Sequence, residues 1–201
     1  MPSSLPPSSF GIVIDALLEG PLPPLDAGVP TSDRRERLAS LTASELCGGS
    51  VHDRDAADAC LAALWLRNGF LEESHTISQH LSTREGSWWH GIMHRREGDF
   101  DNATYWFRRV GDHPLLPRLG RYIARLVPEG AATGKVAFLG SGEPWDPCRF
   151  TSLCAMVATV GSAGRSHADA AGALKTLFCR VADAEWRMLF AECLARACGS
   201  S

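Results

Sequence analysis

Apolar residues recur at helical spacing along most of the chain from Asp33 onward. Between positions 56 and 67 they lie three and four residues apart, and the same spacing returns in 119–126 and 174–194. It also returns in 103–110, which predicts that Trp106 is a core residue. This period is typical of helices that bury one face. The one segment that looks like a strand or a loop is GKVAFLGSG, at 134–142. The pattern therefore predicts an all-α fold of about six helices.

Residues typical of helix ends support the predicted helices. Asn68 and Gly69 follow the helix at 56–67, and both tolerate the left-handed conformation that ends helices. Thr42–Glu45 and Ser166–Asp169 have the spacing of a capping box. Asp146 followed by Pro147 predicts a helix N-cap with proline in the first turn.

The N-terminal residues 1–31 form a proline-rich arm, with seven of the twelve prolines of the chain. Prolines at this density do not sustain a helix or a central strand, so we expect an extended segment. Its apolar patch, Phe10–Leu18, is expected to dock on the body. Residues 32–198 are predicted to form a single all-helical domain.

Composition narrows the class of partner. The net charge is −3, which gives no general electrostatic case for binding nucleic acid or a membrane. The seven cysteines are scattered without a C-x-x-C motif, and no positively charged leader precedes Arg34. We therefore expect a cytoplasmic protein with reduced thiols, whose partner is a peptide or a small molecule.

Two segments of the chain align with each other. Residues 63–74 and 92–103 match at a spacing of 29 residues, each with a glycine followed by a hydrophobe and then a small residue. With Gly91, Gly98, Ala103 and Phe107, the second segment resembles the tetratricopeptide pattern, although the spacing is shorter than the usual repeat of about 34 residues. The resemblance implies antiparallel helical hairpins, here packed on a long C-terminal helix.

A second resemblance covers residues 56–195. The motifs LWLRNGFLEESHTISQHL, WWHGIMHRREGDFDNATYWFRRVGDHP, WDPCRF and AEWRMLFAEC, in this order, are similar to those of an uncharacterised family of bacterial and fungal proteins. That family has no assigned activity. The resemblance implies that these motifs build one site, and it transfers no chemistry.

Histidines are the first candidates for that site. His90 and His94 are four residues apart, so both imidazoles leave one face of a helix, and Glu97 extends this face. The spacing suits a zinc-like metal, although the glutamate base of H-E-x-x-H proteins is missing. The third ligand would be Glu97, His75 or His113. The alternative is that the histidines bond to neighbouring carboxylates or carbonyls.

A polar cleft between the two hairpins is the second expectation. His75 and Gln79 are predicted to face His90 and His94, and Tyr105 is placed to present its hydroxyl group. Arg95 would clamp an anionic ligand if it is unpaired. The alternative, for both arginine pairs at 95–96 and 108–109, is bonding to hairpin carboxylates such as Glu97, Asp99 and Asp112.

These observations leave two functions open. The first is a helical scaffold or ligand-binding module whose cleft takes a peptide or a small anionic ligand. Its ligand-binding residues would be His75, Gln79, His90, His94, Arg95 and Tyr105. The second is a metal-dependent hydrolase-type enzyme that uses His90, His94 and either His75 or Glu97. The cofactor is accordingly either none or a divalent metal such as zinc.

Overall fold

The computed structural model describes residues 10–128, 130–131, 133–160 and 168–199, and all regular secondary structure within them is helical. The predicted all-α class is therefore confirmed. The structure has more helices than the six expected, because the short ones near the N-terminus span too few turns to show a period. The α-helices are α1 (Ile12–Leu18), α2 (Arg35–Ser40), α3 (Ala43–Leu46), α4 (Arg54–Arg67), α5 (Leu71–Ser78), α6 (Arg84–Glu97), α7 (Phe100–Val110), α8 (Leu115–Leu126), α9 (Pro147–Val160) and α10 (Ala168–Cys198).

Most of the predicted helix boundaries are present. Thr42 and Glu45 form the capping box of α3, and the Asp146 carboxylate accepts a hydrogen bond from the Arg149 amide at the start of α9. Gly69 ends the α4 turn with φ 82°. Asn68 does not share that conformation, because its amide group instead donates to the backbone of α1 and α4. The capping box predicted at 166–169 lies outside the described residues.

The segment at 134–142 differs from expectation, because Gly134–Gly140 form a 3₁₀ helix. A second 3₁₀ turn, Ser32–Arg34, precedes α2. Among the described helices, none combines the length and the apolarity that crossing a bilayer requires.

Two helical hairpins, α4–α5 and α6–α7, lie side by side, and the long α10 packs along α4 and α8. Helix α6 approaches α7 closely at Gly91, where an added Cβ atom would lie 2.6 Å from the Phe107 ring. Because α6 is surrounded by α4, α5, α7 and α10, its residues from Glu85 to Arg96 are all buried. Side chains with polar groups on this helix must therefore find partners inside the protein.

A buried carboxylate supplies such partners on one side of α6. Glu185 of α10 has no exposed surface, and its Oε1 accepts hydrogen bonds of 2.9 Å from both Trp88 and Trp145. Its Oε2 accepts a 2.5 Å bond from the Arg95 guanidinium, which also lies over the rings of Phe107 and Phe150. The predicted pairing of Arg95 with hairpin carboxylates is therefore wrong.

Arg96 leaves α6 in another direction and binds the N-terminal segment. Its guanidinium donates to the carbonyl groups of Asp26 (3.1 Å), Ala27 (3.0 Å) and Leu66, so the hairpin carboxylates predicted for it are wrong as well. Burial lowers the pKa of Arg96 to about 10. Arg34 adds bonds of 2.8 Å to the carbonyl groups of Leu17 and Glu19.

The apolar patch at Phe10–Leu18 docks on the body, as expected. Ile14, Leu17 and Leu18 are buried, and the Phe10 ring meets the edge of Phe190 at 5.0 Å between centroids. The patch is helical between Ile12 and Leu18, where the expectation was an extended segment. A helix can form here because this stretch, unlike the rest of the arm, contains no proline.

We expect Glu185→Gln to lower the free energy of unfolding by about 3–5 kcal/mol, because it leaves the buried Arg95 cation without a counter-charge. The measurement is urea denaturation followed by circular dichroism. The matched control is Glu192→Gln on the same helix. Glu192 pairs with Arg118 at a half-exposed position, and its loss should cost at most about 1 kcal/mol. Equal losses in the two variants would show that the Glu185 carboxylate does not stabilise the core in this way.

Candidate metal site

Three imidazoles meet where α5 packs against α6. His75 lies on α5, and His90 and His94 lie one turn apart on α6. One ring nitrogen from each residue lies within 4.8 Å of the others. The ring centroids of His75 are 4.8 Å from His90 and 5.4 Å from His94. The structure thus brings together the three histidines that the sequence singles out.

His90 is the buried member of the cluster. It is 2% exposed, and neither of its ring nitrogens has a hydrogen-bond partner in the described part of the chain. Its ring stacks on Trp106 at 4.0 Å and on His94 at 4.8 Å. Burial lowers the pKa of His90 to about 3, and the neighbouring His94 and His75 act in the same direction. A buried polar group left unpaired is costly, so these nitrogens are suited to binding a ligand.

His94 is held by two polar neighbours. Its Nδ1 lies 3.1 Å from the Glu97 carboxylate, and its Nε2 lies 3.1 Å from the side-chain amide of Asn102. One neutral tautomer satisfies both contacts, with Nδ1–H donating to Glu97 and Nε2 accepting from Asn102. A carboxylate behind the imidazole is the arrangement that orients many metal-binding histidines. Glu97 is not among the groups whose ligand atoms lie close together, so its place suits orientation better than coordination.

His113, the remaining candidate for a third ligand, lies elsewhere. Its Nε2 is 3.2 Å from the Glu85 carboxylate, and its Nδ1 accepts from the backbone amide of Leu115 at 3.1 Å. Both ring nitrogens are therefore used. Glu85 also binds Arg196 of α10, and the pKa of this carboxyl group is lowered to about 2, mainly by its hydrogen bond with His113.

Helix α7 forms the outer wall of the site. Asn102 and Trp106 are half-buried, and Tyr105 is 54% exposed. Arg109 lies with its guanidinium carbon 5.3 Å from the Trp106 ring centroid and 5.9 Å from that of Tyr105. Sequence reasoning missed Asn102 and Arg109 and assigned Trp106 to the core. Asn102, Trp106 and Arg109 follow one another at four and three residues, so they share one face of the helix. This spacing was the signal in the sequence that could have found them.

Gln79 is exposed at the end of α5, and its side chain makes no contact with the histidines among the described residues. Arg95 lies on the opposite side of α6, bound to Glu185. Its Nη1 atom is buried and has no hydrogen-bond partner in the residues that are described. The site therefore gathers five groups, namely His75, His90, His94, Asn102 and Trp106, and it has Tyr105 and Arg109 at its rim.

A cavity of about 600 Å³ lies on another side of α6, between its C-terminal end, α9, α10 and residues 25–27. Its wall includes Glu97, whose carboxylate binds His94, but none of the three histidines. Most of the lining is apolar, contributed by Leu25, Phe100, Cys154, Met156, Val157 and Leu174.

In metal-free protein, we expect the free energy of unfolding to fall as the pH drops from about 6.5 towards about 3. Across that range the unfolded chain takes up a proton on His90 that the folded protein does not accept. His90 thereby lowers the free energy of unfolding by at most about 1.4 kcal/mol for each pH unit. His90→Phe keeps an aromatic ring stacked on Trp106 and should make the free energy of unfolding depend less on pH. His80→Ala, at an exposed position, should leave that dependence unchanged. Urea denaturation at several pH values in a chelator provides the measurement, and an unchanged slope in His90→Phe would contradict the expectation.

Comparisons with known proteins add no assignment to this geometry. No protein family, curated protein or solved structure matches the chain. The resemblances to tetratricopeptide hairpins and to an uncharacterised family therefore stay predictions from the sequence. The function has to be argued from the residues of the site themselves.

Proposed function

We propose that the protein binds one divalent transition-metal ion, zinc above all, through His75, His90 and His94, and that it uses this metal in a hydrolytic reaction. The observation that carries the proposal is the buried imidazole of His90. Both of its nitrogens lack partners within the described structure, and it lies beside two other imidazoles. A metal ion would satisfy at least one of these nitrogens.

The donor set favours zinc over harder cations. Imidazole nitrogen suits zinc and its neighbours in the first transition series, whereas calcium and magnesium take oxygen ligands. Nitrogen atoms bound to one tetrahedral zinc ion lie about 3.3 Å apart, as follows from zinc–nitrogen distances of about 2.0–2.1 Å. The present separations of up to 4.8 Å therefore require a modest closure of the rings around the ion.

Three protein ligands leave a fourth position open, which is the arrangement of catalytic zinc sites. A metal held by these three histidines would act as a Lewis acid, and it would lower the pKa of a bound water molecule to about 7. The residues of the chain supply the surroundings. Glu97 holds the His94 ring, and Trp106 covers one face of His90. The Asn102 amide, which donates to His94 Nε2 in the present structure, would have to turn away to free that nitrogen for the metal.

A binding module without catalysis is the second proposal. Two observations favour it: the exposed ring of Tyr105 and the apolar cavity beside α6. In this case a peptide or a small anionic ligand would occupy the protein, and no metal would be needed. Under either proposal we place the protein in the cytoplasm, because all seven cysteines are free thiols.

Metal analysis separates the two proposals. Protein purified without a nickel column should bind one equivalent of zinc in isothermal titration calorimetry. His90→Ala should weaken this binding by at least about 100-fold, because removing a ligand exceeds the 10- to 100-fold loss typical of its supporting partners. Glu97→Gln should weaken zinc binding by about 10- to 100-fold, because Glu97 supports the His94 ring and does not itself bind the metal.

The matched control is His80→Ala. His80 is exposed on the loop after α5, and its ring contacts the carbonyl group of Thr76, so zinc binding should stay at the wild-type level. Absence of zinc binding in the wild type, or full binding by His90→Ala, would refute the metal site. The binding-module proposal would then take its place.

A further inference from the structure

Arg109 occupies a distinctive place beside the proposed metal site. Its guanidinium lies over the Trp106 ring at 5.3 Å, and the imidazole of His90 stacks on the same ring at 4.0 Å. One indole ring therefore separates the cation from a proposed metal ligand. Tyr105, at 5.9 Å from the same guanidinium, completes an aromatic support on the solvent side.

Within the described part of the chain, the hydrogen-bond donors of Arg109 have no protein partner. Its side chain forms no hydrogen bond or ion pair with any residue that the structure describes, whereas Arg95 and Arg96 are bound on several sides. A guanidinium that is held by its face against aromatic rings keeps its planar edge of N–H groups available. That edge matches the oxygen atoms of a carboxylate or a phosphate group.

We propose that Arg109 selects substrates that carry an anionic group. Its guanidinium binds a carboxylate or phosphate group of the molecule whose reacting centre lies at His75, His90 and His94. The inference rests on the proposed metal site and names the class of substrate for it. His75, Asn102 and Trp106 are half-buried, so this side of the site is the one that solvent reaches, and Arg109 stands at its edge.

The neighbouring Arg108 provides a matched control. It is also exposed on α7, and its guanidinium lies over no aromatic ring of the described residues. Replacing either arginine removes one positive charge from the same turn of the same helix. A difference between the two variants therefore reports position and not net charge.

Cobalt(II) in place of zinc gives the test a readout that does not depend on turnover. We would titrate the cobalt-loaded protein with inorganic phosphate, with succinate and with azide, and follow the visible absorption of the metal. Azide reaches the metal but has no second group to extend towards Arg109. Phosphate and succinate represent the two sources of anionic oxygen, and the stronger of them identifies the substrate class.

In the wild type we expect phosphate or succinate to change the cobalt spectrum. Arg109→Gln should raise the dissociation constant of that anion by about 10- to 100-fold, as expected for a lost charge-assisted hydrogen bond, and should leave azide binding unchanged. Arg108→Gln should match the wild type for all three anions.

Wild-type affinity in Arg109→Gln would overturn the inference, and so would an equal loss in Arg108→Gln or an equal loss for azide. A wild-type protein that binds cobalt but neither phosphate nor succinate would overturn it as well. Failure to bind cobalt at all is a different result, and it would refute the metal site itself.

Discussion

The carboxylate of Glu185 fixes the orientation of the helix on which the site depends. It lies in the centre of the protein and accepts hydrogen bonds from Trp88, Arg95 and Trp145, which come from α6 and from the segment before α9. Trp88 and Arg95 are seven residues apart and share one face of α6. His90 and His94 leave the opposite face. The same bonds that neutralise the buried charge therefore set the rotation of α6, and with it the direction of both imidazoles towards α5.

The local spacing of apolar, capping and histidine residues was enough to predict the all-α class and the main helix caps. It also predicted that His75 lies close to His90 and His94. Those features depend on neighbours within a few turns or on the pairing of adjacent hairpins. The sequence also favoured carboxylates close by as partners for Arg95. The actual partner is 90 residues away, and nothing in local spacing points to it.

Helix α6 explains why the rest escaped prediction. Since its residues from Glu85 to Arg96 are all buried, the helix has no solvent-facing side, and its apolar pattern cannot tell which face meets which neighbour. Trp106 shows the same limit. Its helical spacing fits a core residue, yet its ring is half-buried and stacked on His90. Helical spacing alone cannot distinguish an aromatic side chain that only packs in the core from one that also borders a site.

The tether made by Arg96 has a consequence for the order in which the chain acquires its structure. This guanidinium binds the carbonyl group of Leu66 at the end of α4 and that of Asp26, which lies 70 positions before Arg96 in the chain. The docking place for the N-terminal segment therefore exists only after α4 and α6 have packed together. Because closing so long a loop costs chain entropy, we expect these contacts to form late in folding. Since a few such bonds hold residues 25–27 at the surface, we expect their backbone amides to exchange earlier than those of the buried α6, and proteases to cleave there more readily.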